Sequence, residues 1–439
     1  MNAQLNAPDE LLDLRAYAYS YPHKSAYRPL TPPVSIAEAW QDEDVRQLSL
    51  YVHVPFCEMR CGFCNLFTQS QPAGEAVESY LATLLRQFRI VRRAVPEAEF
   101  AQFAIGGGTP TYLSALQLER LLAAVESGFD LSIATLPTSI ETSPLTATRD
   151  RLAILKEFGV ERISIGVQSF ETVDLQAFGR PRQCREVYAA LETIRELQFA
   201  TLNIDLIYGT DSQTASAWLA SLTEAQRFEP EEIYLYPLYV RPDTGLDRIE
   251  RRQDQHRHDL YRLAVEFLTN RGYQQTSLRC FRRSNSAACV AYTCQRDGMI
   301  GLGCGARSYT RRLHYATKFA VRQTGIRAIL SEWIRQTDAE LAHATHGLRL
   351  SSDEQRRRYL IMSLLQAEGV SLSDYERQFD GSPFDDVPEL EELRHRHWLD
   401  QSTQGMLRLT ALGLENSDLA GPLLYSAYVR SCLEEFARR

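Results

Sequence analysis

The feature that most limits the possible folds of this chain is a sixfold alternation of short β-type runs and amphipathic helical stretches. The predicted strands span residues 48–54, 100–105, 137–141, 162–167, 201–208 and 232–238. The predicted helices span residues 77–93, 115–127, 146–159, 184–199, 215–228 and 253–272. Such repetition predicts an α/β fold with parallel strands and right-handed crossovers. We expect strands that are apolar on both faces, arranged as a doubly wound sheet or as an open, partial barrel of TIM type.

The flanking segments have a different character. Residues 1–46 read as a polar N-terminal arm, since the prolines between positions 22 and 33 break any helix. Residues 47–272 hold the six units. Residues 273–345 form an irregular segment without the strand–helix alternation, and glycines alternate with other residues in "GLGCGARSY". Residues 346–439 predict further helices, including 371–380 and 387–399, in a small helical, winged-helix-like domain.

Composition excludes several classes of protein. The formal net charge of −8 gives no basic excess, so we expect no nucleic-acid partner. The first residues lack a signal peptide's apolar region, and no run of 18 apolar residues is present, so we expect a cytoplasmic protein and no membrane partner. Nine cysteines in such a chain favour metal binding or catalysis over a disulfide framework.

Three of these cysteines fall within eight residues, in "CEMRCGFC". Cys57, Cys61 and Cys64 supply thiolates from one short loop after the first predicted strand. Zinc sites usually take four ligands from two separated pairs, so zinc is the weaker interpretation. Close-set thiolates hold iron–sulfur clusters. Three thiolates leave one iron of a 4Fe-4S cluster without a protein ligand, and a small molecule must fill that position.

Several motifs carry a resemblance to a known family. The C-x3-C-x2-C spacing with an aromatic residue before the last cysteine resembles the signature of the radical SAM superfamily. "FAIGGGTPTYL", "SIETSP", "GVERISIGVQSFETVDLQAFGR", "NIDLIYG" and the tail "RLTALGLENSDL" resemble, in order, segments of its HemN-like family, named for oxygen-independent coproporphyrinogen III oxidase. The resemblance implies a partial (β/α)6 TIM-type barrel with a HemN-like C-terminal domain at 346–439. It also implies a 4Fe-4S cluster and one or two molecules of S-adenosylmethionine (SAM).

The resemblance also implies roles for individual residues. The residues that would hold the cluster and the first SAM are Tyr51, Cys57, Cys61, Cys64, Gly107 and Glu141. The residues that would hold the second SAM, or a group in its place, are Phe63, Gly108, Thr109, Gln168, Arg180 and Asp205. An arginine suits a SAM carboxylate, and carboxylates suit its sulfonium and ammonium groups. The alternatives are strand-end capping for Gln168 and Asp205 and a surface position for Arg180.

A further group of residues is predicted to face the substrate. Arg307, near the adenosyl position of the family, is expected to contact an anionic substrate. Tyr234, Tyr236 and Tyr239 either line the substrate cavity or pack within the sheet. Cys304, among glycines, is the best candidate for a thiol near substrate, although an inert buried cysteine is the stronger alternative. His53 either bonds a cluster sulfide or fills space.

Some positions depart from the coproporphyrinogen enzymes that the sequence resembles. Leu66 stands where those enzymes have a fourth cysteine, and Asp211 replaces a proline in "GTDSQT". We therefore favour a radical SAM enzyme that performs two-SAM methyl or alkyl transfer, or another tailoring of a small organic substrate. The alternatives are oxidative decarboxylation of the coproporphyrinogen III type and a haem chaperone, for which His314, His343 or His346 would supply the axial ligand. We expect a monomer that receives electrons from a donor such as flavodoxin or ferredoxin.

Overall fold

The computed structural model describes residues 19–180, 184–248, 256–284, 297–401 and 405–437. The chain divides into two units. One comprises residues Met1–Tyr27, Gln275–Cys280 and Arg349–Arg439, and the other comprises Arg28–Gln274 and Phe281–Leu348. The four domains expected from the sequence stay a prediction. Within the described ranges, none of the helices combines the length and the apolar character needed to cross a bilayer.

The described strands are short and most belong to one large sheet. They are β1 Arg28–Ser35, β2 Leu48–Val54, β3 Phe56–Cys57, β4 Gln69–Ser70, β5 Phe100–Gly107, β6 Thr138–Thr142, β7 Arg162–Gln168, β8 Thr201–Tyr208, β9 Glu232–Pro237, β10 Tyr273–Gln275, β11 Cys280–Arg283, β12 Met299–Leu302, β13 Arg307–Tyr309, β14 Leu313–Ala316, β15 His343–Arg349, β16 Val370–Ser371, β17 Leu399–Gln401 and β18 Met406–Leu409.

The described helices lie between these strands and in the C-terminal region. They are α1 Ile36–Trp40, α2 Gly74–Ala94, α3 Ala115–Phe129, α4 Arg149–Glu157, α5 Thr172–Ala177, α6 Cys184–Glu196, α7 Ala215–Gln226, α8 Gly245–Arg248, α9 Arg257–Thr269, α10 Gln323–Ile334, α11 Asp338–Leu341, α12 Ser352–Leu364, α13 Leu372–Phe379, α14 Pro383–Asp386, α15 Leu390–His395, α16 Ala411–Glu415, α17 Ser417–Leu423 and α18 Ala427–Ala437.

The centre of the large sheet confirms the predicted α/β fold. The strands β2, β5, β6, β7, β8 and β9 are neighbours in chain order and pair in parallel. Each is separated from the next by at least one helix, as the alternation predicts. The sheet continues past both ends of this set, to β12 beside β2 and to β11 beside β9. These six strands are therefore the predicted (β/α)6 unit, and their carboxyl ends lie along one edge.

One expectation about these strands is wrong. The face that carries Arg162 and Asn203 is polar rather than apolar, since Arg162 hydrogen-bonds Ser139 on β6 and Glu232 on β9. On the same face Asn203 hydrogen-bonds Ser164 on β7. The opposite face is fully apolar and covered by helices, with side chains such as Ile163, Ile204 and Ile233 completely buried. These parallel strands therefore have one apolar face and one hydrogen-bonded polar face.

The segment after α9 is more regular than the sequence indicates. The strands β12 to β15 extend the sheet from β2 to its edge strand β1. β12 runs parallel to β2, whereas β13 and β14 form antiparallel hairpins. β12, β13 and β14 have only three or four residues each, which is too short to show a clear alternation. The prolines of β1 fit its place at the edge, where a missing backbone N–H does not break a ladder.

The C-terminal unit is helical, as predicted, and contains a small antiparallel sheet in the order β16-β18-β17. Its core includes a buried polar cluster in which Tyr21 and Ser426 both donate hydrogen bonds to the Glu354 carboxylate. Arg357 donates to Asp353 and Glu389, at 3.0 Å each. The described residues of the N-terminal arm before Arg28 thus belong with the C-terminal helices.

Candidate functional site

The three clustered cysteines lie on the loop that begins in β3 and ends at β4. All three are free and half-buried. Thr109 donates a hydrogen bond to the Cys57 sulfur at 3.4 Å, and the Cys64 sulfur lies 4.0 Å from the Thr68 hydroxyl. Across the described ranges, no set of three or more His, Cys, Asp or Glu side chains converges closely enough for a single metal ion. A cluster in which each sulfur binds a different iron does not need that convergence, so these thiols fit an iron–sulfur cluster better than zinc.

The electrostatic surroundings of Cys57 and Cys61 favour protonated thiols over free thiolates when no metal is bound. Burial raises the pKa of Cys57 far above its ordinary value and raises the pKa of Cys61 to about 11. The Arg180 guanidinium opposes this effect at Cys61, and the Glu58 carboxylate adds to it. Without a metal these two thiols therefore keep their protons at neutral pH. Binding of iron replaces those protons and satisfies the buried sulfurs.

The position of this cluster loop is set by backbone contacts at three glycines. The Gly62 amide donates to the Phe178 carbonyl at 3.0 Å, and the Leu246 amide donates to the Gly62 carbonyl at 2.8 Å. A Cβ on Gly179, which has φ of +70°, would lie 2.9 Å from the Gly62 nitrogen. A Cβ on Gly245 would lie 3.1 Å from the Gly62 Cα. Main chain therefore meets main chain here with no room for a side chain.

Two side chains connect the cluster loop to the segment before α10. Arg60 donates to the Cys64 carbonyl at 3.2 Å and to the Val321 carbonyl at 2.7 Å. Gln323 donates to the Thr68 carbonyl at 2.8 Å and accepts from the Ser70 amide at 3.4 Å. The loop is thus hydrogen-bonded on both sides, which holds the thiols in a defined arrangement before any cofactor binds.

The glycine run at the end of β5 lies directly beside the cluster loop. The Gly107 amide donates to the Glu141 carboxylate at 3.0 Å, and Gly107 has φ of +117°. A Cβ on Gly106 would come within 2.9 Å of the Glu141 carboxylate, and one on Gly108 would come within 3.0 Å of the Cys57 sulfur. Glu141 is accessible from the polar side of the sheet, yet it lies among the strand ends, and burial there raises its pKa. These glycines form the cradle that a closely approaching ligand requires.

Tyr51 and His53 project from β2 towards the same region. The Tyr51 hydroxyl lies 3.2 Å from His53 Nδ1, and His53 Nε2 lies 3.1 Å from the Phe67 carbonyl. Because a carbonyl only accepts, Nε2 carries the hydrogen, and a neutral ring then accepts at Nδ1 from Tyr51. A Cβ on Gly107 would lie 2.6 Å from this ring, so the glycine makes room for it. In this structure His53 orients Tyr51, which is a third option beside the two considered from sequence.

Three of the six residues assigned to a second SAM, Gln168, Arg180 and Asp205, come together at the ends of β7 and β8, whereas Gly108 and Thr109 lie beside Cys57. Arg180 donates to the Gly166 carbonyl at 2.6 Å, and Gly166 pairs with Asp205. A Cβ on Gly166 would lie 2.7 Å from Nε2 of the Gln168 side chain. Gln168 has φ of +73°, a backbone conformation that is costly for a residue with a side chain and is common at functional sites. Arg180 is buried, which excludes the alternative of a surface arginine.

Asp205 has an unusual electrostatic environment. Burial raises its pKa to about 7, and the neighbouring Glu141 adds to the increase. Asn203 and Arg162 act in the opposite direction, and the Asn203 amide donates to the Asp205 carboxylate at 2.7 Å. A carboxylate in this state gains from a positively charged ligand, such as an ammonium or sulfonium group.

A row of charged residues that was not identified from the sequence lies on the same face of the sheet as Asp205, nearer the amino ends of the strands. Arg162 donates to Glu232 at 2.8 Å and to Ser139 at 2.9 Å, and Arg282 on β11 donates to the same Glu232 at 2.6 Å. Asn203 was also missed, although it lies two residues before Asp205 and therefore on the same strand face. That spacing was the available signal for Asn203, whereas the Arg162–Glu232 pair becomes visible only when β7, β8 and β9 are known to be neighbours.

The residues predicted to face the substrate are distributed around this face. Tyr234 pairs with Asp205, and its ring stacks on Tyr236 at 6.1 Å between centroids. Tyr239 follows β9 and lies under the Arg241 guanidinium at 4.8 Å. Arg307 shares a face with Tyr51, because β12 pairs Gly301 with Tyr51 and the β12–β13 hairpin brings Arg307 opposite Gly301.

Phe63 packs edge-on against Phe178 at 6.2 Å, beside a small apolar cluster formed by Phe178, Ile207, Leu238 and Leu246. Phe63 therefore anchors the cluster loop on its apolar side. Whether it also contacts a ligand stays a prediction.

Two groups of candidates do not fit the roles considered for them. Cys304 is completely buried, with its sulfur 3.9 Å from the Thr317 hydroxyl, so it is an inert buried thiol and not a substrate-facing one. His314 is also completely buried, within β14. His343 and His346 lie on β15 rather than on a loop, and His343 Nδ1 contacts the Ala339 carbonyl at 2.7 Å.

The comparisons with known proteins agree with this geometry. The radical SAM superfamily matches residues 51–222. An oxygen-independent coproporphyrinogen III oxidase of Cereibacter sphaeroides is 30% identical over 250 residues, 56% of this chain and 55% of that protein, so the match spans about half of the relative's length. The heme chaperone HemW of Bacillus subtilis is 29% identical over 271 residues, 60% of this chain and 70% of that protein.

A similar fold is known from a solved structure. The coproporphyrinogen III oxidase HemN from Escherichia coli superposes with a TM-score of 0.77 and 25% identity, covering 91% of this chain and 96% of that one. The likeness includes the C-terminal region as well as the parallel sheet.

Proposed function

We propose a reaction from one premise: the chain belongs to the HemN-like family of the radical SAM superfamily. Membership implies a 4Fe-4S cluster and SAM as cofactors, and the free thiols of the cluster loop fit that cluster. When bound, a reduced cluster would supply the electron that splits SAM into methionine and a 5′-deoxyadenosyl radical, and this radical would abstract a hydrogen atom from the substrate.

The residues of the chain hold and orient the reactants. Cys57, Cys61 and Cys64 would hold the cluster, and the main-chain contacts of Gly62 keep their loop in place. The glycine cradle at the end of β5 and Glu141 would receive the first SAM.

A second SAM is supported by one observation above the others, the convergence of Gln168, Arg180 and Asp205 around Gly166. A buried arginine with an unpartnered Nε atom suits a carboxylate, and a carboxylate with its pKa near 7 suits an ammonium or sulfonium. SAM carries all of these groups on one molecule. We therefore propose that two SAM molecules bind, one as radical source and one as carbon donor.

The reaction that best fits two such molecules is methyl or alkyl transfer to a small organic substrate. Leu66, at the position of the fourth cysteine in the coproporphyrinogen enzymes, is 45% exposed and offers no ligand. Arg307 would recognise an anionic group of the substrate, and Tyr234, Tyr236 and Tyr239 would contact an aromatic part of it. The expected electron donor is flavodoxin or ferredoxin.

Oxidative decarboxylation of coproporphyrinogen III is the second candidate. It is favoured by the likeness to HemN over 91% of the chain. This reaction uses the same radical and differs in the substrate and in the fate of the carbon radical, so the two candidates are separated by their products.

Anaerobic reconstitution with iron, sulfide, SAM and dithionite tests these proposals. With the substrate present, methyl or alkyl transfer predicts S-adenosylhomocysteine together with 5′-deoxyadenosine, whereas decarboxylation of added coproporphyrinogen III predicts 5′-deoxyadenosine with loss of carbon dioxide. A Cys61→Ala variant is the control and should make neither. Absence of 5′-deoxyadenosine above that control would refute the radical reaction, and haem binding by the same sample would then favour the chaperone role of HemW.

The stoichiometry of SAM is measured separately by equilibrium dialysis of the reconstituted protein. We expect two molecules for the unchanged chain and one for Arg180→Gln. A single molecule bound by the unchanged chain would refute the two-SAM proposal without affecting the radical reaction.

A further inference from the structure

Glu58 is the one acidic residue between Cys57 and Cys64. Its Oε1 atom accepts a hydrogen bond from the Ser143 hydroxyl at 2.7 Å. Its Oε2 atom is buried and has no hydrogen-bond partner in the described part of the chain. A buried carboxylate oxygen without a hydrogen-bond donor is unusual in a folded protein.

The carboxylate is held in place by a chain of buried hydroxyls. Ser143 lies 2.9 Å from Thr146, Thr146 lies 2.6 Å from Thr111, and Thr111 lies 2.6 Å from Thr142. All four side chains are at most 6% exposed. They come from the loop after β5, from the last residue of β6 and from the loop that follows β6, so Glu58 is fixed to two strand ends and not only to its own loop.

The carboxylate lies beside the thiols along the chain. Glu58 directly follows Cys57, whose sulfur accepts a hydrogen bond from Thr109 at 3.4 Å. Glu58 forms no ion pair with any described residue, so its negative charge is not cancelled locally.

We propose that Glu58 sets the reduction potential of the 4Fe-4S cluster, its fixed carboxylate making the cluster harder to reduce and, once reduced, a stronger electron donor. Reduction adds an electron to the cluster, and a nearby negative charge disfavours the reduced state. Net charge and hydrogen bonding around the sulfurs are among the factors that set cluster potentials. The Ser143 hydrogen bond and the hydroxyl chain keep the carboxylate from turning towards solvent, where water would screen it. The inference rests on the proposed function only through the presence of the cluster.

The test is an anaerobic redox titration of the reconstituted protein without SAM, followed by the EPR signal of the reduced cluster. Replacing Glu58 by Gln removes the charge and keeps an oxygen that can accept from Ser143. We expect the equilibrium for reduction of the cluster to become about tenfold more favourable, a rise of about 59 mV for a one-electron couple. Glu58→Asp keeps the charge and should leave the potential close to that of the unchanged chain. Glu75→Gln, in the first turn of α2, is the control for a distant carboxylate and should also leave it unchanged.

Iron and sulfide content is measured for each variant, so that a lost cluster is not mistaken for a changed potential. If Glu58→Gln does not retain the cluster, Glu58→Asp and Glu58→Asn make the same comparison of charge with a shorter side chain. Equal potentials within either pair, or a lower potential without the charge, would overturn the inference. Failure of the unchanged chain to assemble a cluster would instead contradict the proposed function.

Discussion

Asp205 should make the protein without SAM less stable as the pH rises. Its pKa in the folded chain is about 7, raised by burial from an ordinary value of 3.8. Between these two values the folded state holds a proton that the unfolded state has lost. The free energy of unfolding therefore falls as the pH rises from about 4 to about 7, and the whole penalty remains at higher pH.

The size of the penalty follows from the same shift. A difference of about 3 pKa units corresponds to about 4 kcal/mol as an upper limit. Asp205 is only partly buried, so water screens some of this energy, and about 2 kcal/mol is the expected effect. Asp205→Asn removes the charge and keeps an oxygen that accepts from Asn203. We expect the variant to be more stable than the unchanged chain by about 2 kcal/mol at pH 8 and by clearly less at pH 5.

Anaerobic urea unfolding of the protein without SAM, at pH 5 and pH 8, measures this difference. Asp211→Asn, at an exposed carboxylate in the loop after β8, is the control and should leave the pH dependence unchanged. The same Asp205 variant should bind SAM more weakly at pH 8, since it lacks the charge that a cationic group would stabilise. Equal stabilisation at both pH values, or destabilisation at pH 8, would show that burial does not raise the pKa of Asp205.

Three further substitutions test the supporting structure. Gly179→Ala should lower both the free energy of unfolding and the iron content, because its Cβ meets the Gly62 backbone. The control is Gly272→Ala, with φ of +81° and no atom within 4 Å of a Cβ, which should lose about 1 kcal/mol of stability and no iron. Equal iron loss in both variants would contradict the contact. Glu232→Gln should lower the free energy of unfolding by about 2 kcal/mol, since it leaves two partly exposed guanidinium groups without their buried carboxylate; a loss under 1 kcal/mol in urea unfolding would contradict this. Cys304→Ala should leave iron content and 5′-deoxyadenosine yield unchanged, because its sulfur is far from solvent and packed against Thr317; loss of either would restore its functional role.

The sequence predicts those parts of the fold that repeat. The bounds of β2 and β8 match the prediction to the residue, because β2 ends before Pro55 and β8 ends before Gly209. The fold class follows from the alternation, whereas the order of the six parallel strands differs between a doubly wound sheet and a barrel and follows only from the family resemblance. The polarity of one sheet face could not be predicted in the same way. Arg162 and Glu232 each follow another charged residue at the start of a strand, where a solvent-facing side chain is expected, and Asn203 is a single amide between apolar neighbours.

The candidate site divides in a similar manner. Cysteine spacing and short motifs identify residues such as Cys57 and Asp205 because their chemistry is local. The contact of Gly62 with Gly179 joins positions more than a hundred residues apart, and the Glu58–Ser143 bond joins two different loops. Contacts of this kind depend on how the loops meet at the sheet edge, which a single sequence does not contain.

The main-chain contacts around Gly62 have a consequence for evolution and for engineering. They place the thiols without using any side chain that faces the substrate. Tyr234, Tyr236 and Arg307 could therefore be exchanged for other residues while the radical-generating part keeps its shape. One scaffold can in this way acquire new substrates by small changes on a single face, and a library randomised at those three positions would be expected to keep iron content nearly constant while substrate preference varies.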